Sequence, residues 1–227
     1  MSLSLGFIFM ATRDDRTVPE ARRLIDRALA LGVRNIGFKD IGQSRQTLKE
    51  LAEAIRGGGA QVFFEIVSLD RESEMRSVAN ALEFGVDWLM GGRRAQDVAP
   101  IALKAGVSYA PFPGDVVGHP SRLIGTLEAI VADARALLEI DGVNGLDLLA
   151  YRWQGDAPEL IRRVAEISGK PLIVAGSVDS PARIAAVAEA GASGFTIGSA
   201  LIAGAFPAPA PDFEAQVQAV QTALAAA

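Results

Sequence analysis

Three residues in this chain have the type and placement for proton-transfer chemistry: Lys39, Glu65 and Asp147. Each falls in a short apolar run with strand character. Alternation along Val33–Lys39 puts Ile36 and Phe38 on one face and Asn35, Gly37 and Lys39 on the other. That parity turns Lys39 toward a barrel mouth, where partial desolvation can lower its pKa and suit it as a Schiff-base amine or a general acid/base. Glu65 has apolar neighbours on both sides in QVFFEIVS, which assigns it to a polar interior rather than to a helix layer. Asp147 stands in NGLDLLAYRW, followed by Tyr151 and Arg152. A lysine flanked by carboxylates suits proton transfer next to a carbonyl, with Lys39 as electrophile or imine former and a carboxylate as base. The competing expectation is a structural ion pair sealing the interior.

The stretch Pro171–Ile202 carries a second chemistry. Two Gly-Ser pairs, Gly176-Ser177 and Gly198-Ser199, each end a strand candidate. Their small side chains let backbone N–H groups approach a ligand, and a short helix begun at Ser199 aims its positive end at the same spot. Neutral donors and hydroxyls suffice for a phosphate, so Gly176, Ser177, Gly198 and Ser199 are the expected phosphate site. The alternative is that the glycines only make tight turns. Arg13, Arg93 beside Arg94, and Arg152 are secondary candidates for another anionic group. His119 lies in the Pro111–Pro120 loop, which is expected to cover the pocket. Trp88 and Trp153 read as packing, and Asp14-Asp15-Arg16 as a solvated loop.

Positioning these groups requires a regular frame. Strand candidates are Leu3–Met10, Val33–Lys39, Gln61–Val67, Val86–Met90, Val107–Pro111, Gly145–Ala150, Pro171–Ala175 and Gly194–Ile197. Helix candidates between and after them are Pro19–Leu31, Arg45–Arg56, Glu72–Phe84, Ala95–Ala105, Ser121–Ile140, Pro158–Ser168, Pro181–Ala190 and Phe213–Ala225. Gly32, Gly57, Gly85, Gly106, Gly142, Gly169 and Gly191 follow helices as closing residues, and Ser44 and Ser180 are N-cap candidates. Eight strand–helix units in 227 residues average about 28 residues each. With no linker composition anywhere, the chain is expected to be one (β/α)8 TIM barrel domain over residues 1–227. A doubly wound open sheet is the rival.

Composition excludes much. There is no cysteine and one histidine, which removes disulfides, thiolate chemistry and most catalytic zinc sites; no metal is expected. A net charge of −5 and a pI near 5.0 argue against nucleic acid or an anionic membrane as partner. The apolar run Leu3–Ala11 has no basic residues before it, and Ala190–Pro211 is broken by Gly, Ser and Pro, so neither reads as a targeting or spanning segment. A cytoplasmic enzyme fits, and a homo-oligomer is left open.

The tail from Pro171 with its paired Gly-Ser strand ends resembles that of the ribulose-phosphate-binding (β/α)8 barrels, a group of isomerases, epimerases, decarboxylases and aldolases. The resemblance implies that Gly176, Ser177, Gly198 and Ser199 hold a substrate phosphate. Its implied activity is that of a lyase/aldolase or isomerase on a small phosphorylated carbonyl metabolite, without a cofactor. Two other readings stand beside it: an FMN-dependent oxidoreductase, whose flavin phosphate would occupy the same turns, and a non-catalytic phosphate-ester sensor. Lys39-Asp40 with Ala175-Gly176-Ser177 also resembles the (5-formylfuran-3-yl)methyl phosphate synthases, in which a lysine after strand two forms an imine. Here strand four has no lysine, and strand six offers Arg152 instead.

Overall fold

Strand parity decides which side chains see the barrel interior. A computed structural model of the chain describes residues 6–227. Its barrel strands are β1 (Gly6–Met10), β2 (Asn35–Lys39), β3 (Gln61–Ile66), β4 (Trp88–Gly91), β5 (Ser108–Ala110), β6 (Leu146–Leu148), β7 (Leu172–Val174) and β8 (Gly194–Ile197). Residues 3–5 of the first expected strand lie outside the described residues. The helices are α1 (Ala21–Ala30), α2 (Arg45–Gly57), α3 (Arg71–Phe84), α4 (Ala95–Ala105), α5 (Leu127–Leu138), α6 (Ala157–Ser168), α7 (Pro181–Glu189), the short α8 (Ser199–Ile202) and α9 (Phe213–Ala226).

All eight strands run parallel, in the order β6-β7-β8-β1-β2-β3-β4-β5. The remaining seam, between β5 and β6, is bridged by backbone bonds. Asn144 N–H donates to the Tyr109 carbonyl at 2.8 Å, and Asp147 N–H to that of Pro111 at 3.0 Å. The sheet therefore closes into a (β/α)8 barrel, and the doubly wound alternative falls away.

Alternation then sorts the residues. Ile36, Phe38, Leu89, Leu146 and Leu148 face outward and pack in the layer beneath the helices. Ile8, Met10, Phe63, Trp88, Met90, Ala110 and Ile173 form a separate cluster inside the barrel. Phe63 and Trp88 stack there with ring centres 6.0 Å apart and planes 5° from parallel. Gly37 faces the same interior because nothing larger fits: a Cβ would stand 2.6 Å from Met10 Sδ and 2.8 Å from the Phe63 carbonyl oxygen.

Local signals act at the helix ends. The Ser44 and Ser180 hydroxyls accept from Thr47 and Arg183 N–H groups, capping α2 and α7. After α2 the left-handed residue is Gly59 rather than Gly57, because the helix runs on through Gly57.

Three segments depart from the expected elements, and all three lie at the C-terminal strand ends. After β1, Thr12–Arg13 and Arg16–Thr17 form a two-stranded antiparallel ribbon. Its turn residues Asp14 and Asp15 both have positive φ (50° and 59°), the two-residue type I′ geometry that matches strand twist and that Asp tolerates. The expected helix Ser121–Ile140 starts only at Leu127, with the Thr126 hydroxyl as its cap. Gly125 at φ 109° breaks the path, and Arg122–Ile124 pairs antiparallel with Asp115–Val117 as a second ribbon. After β6, Ala150–Arg152 turns as a 3₁₀ helix instead of extending the strand to Ala150. Among the described residues no helix is long and apolar enough to cross a membrane.

Filling the Gly37 position tests the interior packing. Gly37→Ala is expected to cost about 1–3 kcal/mol in urea unfolding, as overpacked cores do. A change below about 0.5 kcal/mol would show that the barrel has spare room there.

Candidate active site

The three departures converge on one cavity. It has a volume of about 940 Å³ and opens at the C-terminal strand ends. Lys39 and Glu65 reach it from β2 and β3, where register pairs them side by side. The first ribbon adds Asp14 and Asp15, the tip of the second adds Gly118–Ser121, and the 3₁₀ turn adds Tyr151 and Arg152.

Lys39 is at the centre and is 5% exposed. Its Nζ donates to Asp15 Oδ1 at 2.6 Å and lies 3.1 Å from Glu65 Oε1. The Glu65 approach is an ion pair without hydrogen-bond alignment, since Oε1 has no hydrogen-bond partner. Asp15 is held from further sides. Arg152 Nη1 donates to the same Oδ1 at 2.7 Å, and Ser121 N–H donates to Oδ2. Thr17 anchors the ribbon to β2: its hydroxyl accepts from Lys39 N–H at 2.9 Å and donates to the Lys39 carbonyl at 2.8 Å.

These contacts set the protonation states. Burial works to raise the Asp15 carboxyl, but Lys39, Arg152 and the Ser121 amide hold it well below the usual carboxylate range. Burial also works to neutralise Lys39, yet Glu65 and Asp15 outweigh it and the ammonium is held above its ordinary pKa. That direction is opposite to the lowered pKa expected from desolvation alone. Glu65 is raised by burial, only partly offset by Lys39. Asp147 is raised further, by burial and by the charge of Glu65. Its side chain is fully buried inside the barrel and neither carboxylate oxygen has a hydrogen-bond partner. Asp147 does not line the cavity.

The four phosphate candidates come together on one wall. Gly176, Ser177, Gly198 and Ser199 all line the cavity. Gly176 and Ser177 both take positive φ (76° and 58°), an uncommon state for a serine. Gly198 is required sterically, because a Cβ would meet the Thr12 and Met10 carbonyl oxygens at 2.6 and 2.7 Å. The Asp14 N–H donates to the Ser199 hydroxyl at 3.4 Å.

The secondary candidates divide. Arg152 joins the cluster, and His119 lines the cavity from an exposed position. Arg93 does not reach it; it borders a second cavity of about 270 Å³ between the second ribbon and α5. Arg13 is exposed and outside the cavity lining, because ribbon alternation buries Thr12 and turns Arg13 outward. Trp88 packs in the barrel as expected, whereas Trp153 lines the rim and donates Nε1–H to the Gly125 carbonyl at 2.9 Å. Sequence reasoning missed Asp15, assigned to a solvated loop and in fact 2% exposed. The Asp-Asp pair between Thr12 and Thr17 was its available signal, as a type I′ hairpin turn.

Fold and site together define a (β/α)8 barrel with a buried lysine–carboxylate cluster at the C-terminal ends of its strands. Solved structures share this fold at low identity. N-acetylmannosamine-6-phosphate 2-epimerase from Clostridium perfringens has a TM-score of 0.64 at 15% identity, covering 99% of this chain and 93% of that one. A tryptophan synthase alpha-subunit from Pyrococcus furiosus gives 0.67 at 14%, covering 99% and 98%. The glycerol uptake operon antiterminator regulatory protein from Listeria monocytogenes gives 0.63 at 16%, covering 88% and 96%. The likeness is one of fold, and it is the barrel fold that the sequence resemblance implied. No protein-family model matches the chain, and no curated protein matches it.

Two outcomes follow for the cluster. Asp15→Ala leaves Lys39 and Arg152 without their shared partner and is expected to cost about 3–5 kcal/mol in denaturant unfolding at neutral pH. A cost under about 1 kcal/mol would show that the pairs contribute little. Asp147 has the opposite sign. Its folded-state pKa is raised, so its contribution is complete below the unfolded value near 4 and fades as pH rises toward the folded value. Relative to wild type, Asp147→Asn should therefore gain thermal stability as pH rises above about 4, until the folded-state pKa of Asp147 is passed. A pH-independent difference in Tm would remove Asp147 from the raised class.

Proposed function

We propose that the protein is an enzyme that moves a proton beside the carbonyl of a small phosphorylated compound, in an isomerase or lyase/aldolase reaction. The observation that carries this reading is the Lys39 ammonium, paired with two carboxylates at a cavity whose wall also holds both Gly-Ser turns. The phosphate is held by backbone N–H groups and hydroxyls at Gly176, Ser177, Gly198 and Ser199. The substrate carbonyl then points at Lys39.

Glu65 acts as base. Burial raises its pKa toward the working range, and in its ionised form it accepts the proton from the carbon next to the carbonyl. Lys39 donates to the carbonyl oxygen as negative charge develops there, giving an enediol. Glu65 then returns its proton to the former carbonyl carbon while the hydroxyl on the neighbouring carbon gives its proton back to Lys39, which completes an isomerisation. If Glu65 instead takes a hydroxyl proton, the adjacent carbon–carbon bond breaks and Lys39 protonates the enolate, completing an aldol cleavage. The raised pKa favours this acid role over imine formation, which needs the neutral amine. Lys39, Glu65 and the phosphate turns need no metal or flavin for either step. Two structural neighbours, the C. perfringens epimerase and orotidine 5'-phosphate decarboxylase from Pyrococcus horikoshii, carry phosphate esters in their names, in keeping with this substrate class.

Turnover of a panel of phosphorylated aldoses, ketoses and keto acids tests the proposal. With a substrate found, Lys39→Met is expected to lower kcat/KM by about 10²–10⁴-fold. Borohydride treatment should leave Lys39 unmodified by peptide mass mapping; a trapped adduct would replace the acid role with an imine. Binding of phosphate esters without turnover of any would assign a sensor instead. The anion turns are best probed at Ser199, since a side chain at Gly198 would displace the Thr12 and Met10 backbone. Ser199→Asp should weaken phosphate-ester binding at least about tenfold in calorimetry, through like-charge repulsion. Unchanged affinity would remove the phosphate from this wall.

A further inference from the structure

Arg152 faces two ways. Only its Nη1 is engaged: it donates to Asp15 Oδ1 at 2.7 Å and to the Ser121 carbonyl at 3.2 Å. Among the described residues, Nε and Nη2 have no hydrogen-bond partner. The side chain is 16% exposed, and neither Nε nor Nη2 is among the buried polar atoms left without a partner, so both open onto the cavity that Arg152 lines. The guanidinium thus presents a free edge of donors to the cavity.

The Nε end of the guanidinium has a definite neighbour. A Cβ placed on Gly176 would lie 2.4 Å from Arg152 Nε and 2.7 Å from its Cδ. The guanidinium therefore rests on Gly176, the first residue of one phosphate turn, and both line the same cavity. Glycine at this position does two things at once: it adopts a φ of 76° and it leaves room for the arginine. The Nε–Nη2 edge of a guanidinium is the pair of donors that matches two oxygens of an oxyanion.

We propose that Arg152 is a positioning residue that couples binding of a phosphate dianion at Gly176–Ser177 to the Asp15–Lys39 pair. This rests on the phosphate assignment made above. In the free protein Lys39 and Arg152 share a single oxygen of Asp15. A dianion on the outer edge of Arg152 supplies that guanidinium with its own counter-charge. Asp15 is then balanced chiefly by Lys39, and the ammonium is held more firmly where the carbonyl arrives. The phosphate thereby acts on the reacting end without touching it, so a substrate lacking it loses kcat as well as affinity.

The coupling can be read without knowing the substrate. The full chain, isotopically labelled, is titrated with inorganic phosphate by NMR, with chloride at matched ionic strength as the control. The Arg152 Nε–H, the Lys39 ammonium and the Ser199 backbone N–H are followed together. In wild type all three should shift with one apparent Kd. In Arg152→Gln phosphate should bind about tenfold more weakly, and at saturation the Lys39 signal should no longer respond. Arg152→Lys, which keeps a cation for Asp15 but has no second edge, should behave the same way and serves if the glutamine variant does not fold. A Ser199 response in wild type without one at Lys39 would overturn the coupling while leaving the phosphate site standing. An equal Lys39 response in wild type and Arg152→Lys would do the same. Failure of phosphate to shift any of the three would overturn the site and the coupling together.

Discussion

The structure turns on one ammonium held inside a barrel. Lys39 is 5% exposed, 2.6 Å from Asp15 and 3.1 Å from Glu65. A charge so placed is tolerated only when it is paired and hydrogen-bonded, because its lost hydration must be replaced by fixed partners. The elements at this end of the barrel supply those partners. The first ribbon delivers Asp15, β3 delivers Glu65, the 3₁₀ turn brings Arg152 to share Asp15, and the second ribbon lends a backbone amide. Were any of these elements re-registered, a buried charge would be left without its counterpart.

The barrel prepares this by filling its own interior first. Phe63 and Trp88 stack across adjacent strands, and Met10 occupies the space that Gly37 vacates. One step further along β2 and β3 the interior carries charge, at Lys39 and Glu65, while Asp147 on β6 is a carboxyl group within the packed part, level with Ile173. Parity puts Lys39 and Glu65 on the same inner face as Gly37 and Phe63, since residues two apart on a strand face the same side. The candidate site lies at the C-terminal strand ends, where barrel enzymes generally carry theirs.

Much of this was legible in the residues. The eight barrel strands stand where the apolar runs placed them, and the inward facing of Lys39 and Glu65 followed from the residues around each, whereas Asp147, expected across the pocket, lies outside the cavity lining. The short helix at Ser199 began where the Gly-Ser pair indicated. The errors share a cause. Asp15 acts on a lysine 24 positions away and an arginine 137 away, so local polarity read it as solvated. The second ribbon was hidden because Arg122–Ile124 has no strand character apart from its partner Asp115–Val117. Ser121 contributes a backbone amide that every residue type but proline carries. Arg13 and Arg93 were placed by proximity to strand ends, which does not specify where a long side chain points.

The sequence by itself determined the architecture, since period-two and 3.6-residue patterns are local and repeat eight times over. It also limited the available side chains, because a chain without cysteine and with one histidine offers no thiolate and a single imidazole. Tertiary structure alone decided how that chemistry is tuned. Desolvation by itself would make Lys39 a neutral amine; two carboxylates brought from separate elements hold it as an ammonium. Electrostatic energies between buried groups depend on distance and burial, and neither exists until the chain has closed.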